Sequence, residues 1–107
     1  VDLAFDTGDL LAYATGVARD LTTPDGLAAL RRAVGYPGER RDAFLAERAG
    51  QVQVILDRSR ARGEQPPQAV DVVDHILAPI YLRALLGMGP LTPAYIDRLV
   101  DRLRVIS

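Results

Sequence analysis

At 107 residues, 49% of them apolar and 25% charged, the chain holds one small domain and is too short for two. Basic and acidic groups balance at 13 against 14, a net charge of -1, which excludes the dense Lys/Arg surface that releases counterions from nucleic acid. The lack of cysteine removes disulfides, thiolate nucleophiles and sulfur-ligated zinc together.

Leu10, Leu11, Ala14, Val17, Ala18 and Leu21 recur at three- and four-residue spacing and predict a first helix over 8–21. Thr22-Thr23-Pro24-Asp25 stops it and starts the next, because a threonine hydroxyl can cap free backbone N–H groups and proline fits the first helical turn. Leu27, Leu30 and Val34 then mark a second stripe, closed by the breaker cluster Gly35-Tyr36-Pro37-Gly38. The longest predicted helix covers 39–62, with Phe44, Leu45, Val52, Ile55, Leu56 and Ser59 along one side. Arg58, Arg60 and Arg62 in its last turn complement the helix dipole, and Gly63 can take the left-handed cap.

After Gln65-Pro66-Pro67-Gln68, a fourth helix is predicted over 69–88, kinked at Pro79 where one backbone bond is lost, and ended by Gly87-Met88-Gly89-Pro90. Thr92-Pro93 repeats the earlier Thr-Pro start. Tyr95, Ile96, Leu99, Val100, Leu103 and Ile106 form the last amphipathic face. No segment alternates with strand period, so the expected fold is all-α, an antiparallel bundle of about five helices in a single domain spanning 1–107.

The penultimate helix carries two apolar stripes where a surface helix needs one. Val73, Ile76, Leu77, Ile80 and Ala84 make one; Val72, His75, Pro79, Leu82 and Leu86, spaced three, four, three, four, make the other. A helix apolar nearly all round is buried on both sides, and in so small a domain another subunit most easily supplies the second cover. A symmetric homodimer is expected, with Arg83 beside the seam and able to pair across it with Asp97 or Asp101.

Catalysis has little material. The only serines are Ser59 and Ser107, His75 is the sole histidine, and the glycine clusters follow no strand and read as turns. His75 with Asp71 and Asp74 offers too few ligands for a stable metal site. The chain reads as a non-enzyme without cofactor or metal. The least charged stretch, 75–91, is broken by Pro79, Arg83, Gly87 and Gly89, and predicts no membrane span.

One run of motifs is more specific. Leu56-Asp57-Arg58-Ser59-Arg60-Ala61-Arg62-Gly63-Glu64, a proline-bearing loop, Val70-Asp71-Val72-Val73-Asp74, Leu77-Ala78-Pro79-Ile80-Tyr81-Leu82-Arg83-Ala84-Leu85-Leu86 and Pro90-Leu91-Thr92-Pro93-Ala94-Tyr95-Ile96-Asp97 follow in that order. This run resembles the C-terminal domain of TetR-family, AcrR-like bacterial transcriptional regulators. The resemblance implies a cytoplasmic, effector-binding and dimerising domain whose last two helices pair with their counterparts as a four-helix bundle. It also implies an N-terminal helix-turn-helix domain that reads operator DNA. Nothing in this chain matches one, and a chain that opens on Val1 and not Met reads as the sensing half of such a regulator.

Regulators of this kind hold an apolar small-molecule effector in a cavity between helices. No family motif fixes the lining. Helical spacing nominates Tyr13, Val17, Leu30, Val34, Phe44, Val52, Ile55, Ile80 and Tyr81, with the two phenols foremost because they both pack and hydrogen-bond. The expected dimer seam comprises Val72, His75, Pro79, Leu82, Arg83 and Leu86, with Ile96, Leu99, Val100 and Leu103 from the last helix. The rival reading is a structural dimerisation or adaptor module with no small-molecule site.

Overall fold

The computed structural model describes residues 6–106, with side chains through Leu103. Helix α1 is Gly8–Leu21, α2 is Pro24–Val34 and α3 is Gly38–Ala61. Ala69–Val72, a π-turn at Val73–Leu77 and Ala78–Leu86 run on without interruption and together form α4. The last helix, α5, is Pro93–Ile106. Among the described residues there is no strand.

The expected punctuation is realised atom by atom. Thr23 Oγ1 accepts from the Gly26 N–H at 3.1 Å and starts α2, and Thr92 Oγ1 accepts from the Tyr95 N–H at 3.1 Å and starts α5. Asp71 accepts from the Gln68 N–H at 3.2 Å, so this carboxylate is engaged in starting α4. Gly63 and Gly87 follow the ends of α3 and α4 with φ of 84° and 62°, the left-handed conformation that glycine adopts without a Cβ penalty.

The core gathers Leu10, Ala14, Val17 and Leu21 of α1, Leu30 of α2, Val52 and Leu56 of α3, four residues of α4 and the inner face of α5. In α3 burial is confined to Val52, Leu56 and Ser59, all in its second half. None of residues 38–51 is fully buried, and Leu45, expected on the apolar side, is exposed. Val34 at the end of α2 is likewise 56% exposed, and Ala33 takes the core position. Ser59 lies only 1% exposed because its hydroxyl donates to Glu64 Oε1 at 2.7 Å, which satisfies a polar group on an otherwise apolar face.

At Pro79, where the lost backbone bond is expected to kink the helix, the structure forms a π-turn. Proline has no N–H, and its ring excludes the carbonyl four residues back, so the turn before it widens, with the Ala78 N–H reaching the Val73 carbonyl five residues away. The extra residue rotates the helix, and Val72, assigned by spacing to the outer stripe, turns into the core beside Ile76, Leu77 and Ile80. Val73 and Ala84 become only partly buried.

Candidate functional site

Helix α3 packs against α1, α2 and α4 with a first half that is only partly packed, and hollows remain beneath it. One is a cleft of about 330 Å³, within the size range of small-molecule pockets. Its floor is Val17 and Leu21 of α1 with Leu30 of α2, all buried. Ala12, Gly16 and Ala29 at its mouth are exposed and too small to close it. Gly26 forms part of the wall because α1 and α2 approach so closely there that a Cβ would sit 2.8 Å from the Asp20 carbonyl carbon.

Four polar side chains interrupt these apolar walls: Tyr13 and Asp20 from α1, Arg48 from α3 and Tyr81 from α4. The Tyr13 hydroxyl donates to Gln51 Oε1 at 2.8 Å, and Arg48 Nη1 donates to the same oxygen at 3.4 Å. The Arg48 guanidinium also lies 5.3 Å from the Phe44 ring centroid. The Tyr81 hydroxyl is buried and has no hydrogen-bond partner among the described residues. Burial pushes the hydroxyls of both Tyr13 and Tyr81 above the usual phenol value, against the lowering pull of the Arg48 charge, so both stay protonated at neutral pH.

Tyr81 is shared with two further hollows. One, of about 280 Å³, lies between α3 and α4 and is almost wholly apolar, with Arg48 at its edge and Leu45, Ala69, Val73 and Leu77 along its sides. The other, of about 240 Å³, brings in Val34, Phe44, Leu45 and Leu85. Phe44, Leu45 and Arg48 on one face of α3 therefore partition a larger space around the Tyr81 ring.

Of the nine residues nominated from spacing, Tyr13, Val17, Leu30, Phe44 and Tyr81 meet in the main cleft. Val34 borders the third hollow. Val52 and Ile80 do not reach these spaces and lie wholly inside the core, and Ile55 packs against that core. Spacing missed Arg48 and Asp20. A charged residue gives no hydrophobic signal, although Arg48 falls four residues after Phe44 on the same face, the one cue available.

The nominated seam residues divide. Val72, Ile96, Leu99, Val100 and Leu103 are buried by their own chain, which corrects their assignment to a partner-facing surface. The side chain of Ile106, expected on the same face, lies outside the described residues. His75 is exposed, Leu82 and Leu86 are 50% and 66% exposed, and Pro79 is half-buried. Arg83 is half-buried within the chain: its guanidinium stacks 3.9 Å from the Tyr95 ring centroid, and Nη1 donates to the Met88 carbonyl at 3.4 Å. No helix among the described residues is long and apolar enough to cross a membrane.

Over residues 7–103 the sequence matches the family described as "Tetracyclin repressor-like, C-terminal domain". No curated protein and no solved structure matches it. With the match running from the first turn of α1 into α5 and an all-helical fold beneath it, the chain belongs to the tetracycline-repressor-like C-terminal domains and is the regulatory domain of a TetR-family transcriptional regulator.

Proposed function

We propose that this domain binds a small-molecule effector in the cleft among α1, α2 and α3 and pairs with a second copy through the outer face of α4. In this way it sets the DNA affinity of an N-terminal helix-turn-helix domain. The observation that carries the reading is the cleft itself: about 330 Å³ of apolar-floored space, opened by small residues and bordered by Tyr81, whose buried hydroxyl has no partner among the described residues. A domain evolved only to dimerise has no use for such a hollow, since filling it would add dispersion contacts. An effector that fits one arrangement of α3 over α4 better than another shifts the population between them, and with it the spacing of two DNA-reading heads.

The dimer face follows from α4. Leu82 and Leu86 stand out from the bundle one turn apart, with His75 and Pro79 on the same line toward the π-turn. Leu82 and Leu86 stay uncovered by the chain after Val72 is turned inward. Sedimentation velocity of the chain carrying both Leu82→Glu and Leu86→Glu tests it: a dimer that becomes a folded monomer supports the face, and an unchanged mass removes it. A thermal-shift screen of small amphipathic compounds tests the cleft. Compounds that raise the melting temperature are expected to lose that effect in Gly16→Leu, which plugs the mouth from an exposed position with nothing within 4 Å of its Cβ.

A further inference from the structure

The two polar groups at the inner end of the cleft have capacity that the protein does not use. Arg48 carries five N–H donors; one makes the long 3.4 Å contact to Gln51 and the guanidinium also reaches the Tyr13 hydroxyl, which leaves donors over. Among the described residues no carboxylate lies within ion-pair reach of it. Across from it the Tyr81 hydroxyl is buried without an acceptor, and burial keeps it a protonated donor. Apolar residues of similar size would pack at least as well in both places. Arg48 from α3 and Tyr81 from α4 thus border the same cleft with donor capacity to spare.

We propose that the ligand of this cleft is a monoanionic amphipath, a carboxylic acid with an apolar body, whose carboxylate sits between the Arg48 guanidinium and the Tyr81 hydroxyl. The inference rests on the effector-pocket reading above and names its ligand class. A carboxylate presents two acceptor oxygens that match the planar fork of a guanidinium and leaves a lone pair for the phenol. A cationic head would meet Arg48, and a neutral head would leave its charge uncompensated. Asp20, seven residues along α1 from Tyr13, edges the same cleft and disfavours a second negative group on the ligand. Arg48 and Tyr81 border both the 330 Å³ cleft and the apolar 280 Å³ hollow, so the body can lie over Val17, Leu21 and Leu30 while its head reaches the junction. Bound there, the carboxylate ties the loosely packed half of α3 to α4, the helix whose outer face carries Leu82 and Leu86.

Isothermal titration of the chain at pH 7 with two shape-matched series, decanoate, decanol and decylamine, and 2-naphthoate, 2-naphthol and 2-naphthylmethylamine, tests this. In at least one series the carboxylate is expected to bind about tenfold or more tighter than its neutral partner, the ratio that a charge-assisted hydrogen bond supplies. Arg48→Gln should erase that preference while leaving the alcohol's affinity in place, Arg48→Lys should keep part of it, and Tyr81→Phe should weaken the acid several-fold. An alcohol or amine that binds as tightly as the acid, or a preference that survives Arg48→Gln, overturns the carboxylate assignment and leaves the pocket standing. Binding of none of the six overturns the pocket reading and this inference together.

Discussion

Replacing Tyr81 with Phe should make the unliganded domain more stable. The Tyr81 ring packs against the core, where Phe keeps its contacts, and only the hydroxyl is lost. That hydroxyl has less than 1 Å² of accessible surface and no partner, so folding strips its water and returns nothing. An unmet buried polar group of this kind costs about 1–3 kcal/mol, and its removal should stabilise the domain by about 1 kcal/mol after the ring relaxes. For a domain near 100 residues that corresponds to a rise in melting temperature of roughly 4–8 °C. Calorimetry and urea titration of the two proteins without ligand measure it, with the urea m-value as a check that the unfolding transition is unchanged. A loss of stability of about 0.5 kcal/mol or more would refute the reasoning, because it would mean that the hydroxyl is satisfied in solution by water or a neighbour. A gain in stability coupled to a loss of ligand affinity is the signature of a group kept for binding at the expense of packing.

Gly26→Ala drives a Cβ against the backbone of Asp20 where α1 and α2 cross, and should destabilise the domain by about 3 kcal/mol or more in urea titration. Gly50→Ala, on the exposed side of α3 with nothing within 4 Å of the added methyl, should instead stabilise it by about 0.5–1 kcal/mol through helix propensity alone. Glu64 accepts from the Arg62 guanidinium and also from the Asp6 N–H and the Ser59 hydroxyl, and these hold its carboxyl at about 2, below its ordinary 4.5. A depressed acid contributes stability above its unfolded pKa that is lost as pH falls through the folded one, so melting temperatures should decline between about pH 4.5 and 2. That decline should be shallower in Glu64→Gln.

The helices were legible because their boundaries are written in local chemistry. Thr23-Pro24 and Thr92-Pro93 cap and open helices whatever lies around them, and Gly63 and Gly87 close helices by a conformation other residues avoid. Which face of a helix turns inward is a different kind of information, and there periodicity failed twice. In α4 it assumed 3.6 residues per turn through a segment where Pro79 enforces a wider one, and the error carried Val72 to the wrong side. In α5 the stripe was correctly found but assigned to a second subunit, because a stripe does not say whether its cover comes from the same chain.

The site was half legible for a related reason. Val17, Leu30 and Phe44 were nominated with Val52 and Ile80, and nothing in spacing separates a side chain that lines a hollow from one that fills it. The distinction depends on how closely α3 approaches α1 and α4, and hence on residues 38–51, whose lack of any fully buried side chain leaves the space open. Arg48 escaped because hydrophobic patterning discards charged residues, and it is the unmatched polar groups that give a pocket its selectivity. Arg48, with no ion pair among the described residues, and Tyr81, with an unanswered hydroxyl, border the same cleft from different helices. If a ligand completes this pair, as proposed above, the substitutions that weaken its binding will also be those that relieve an unmet polar group in the unliganded fold.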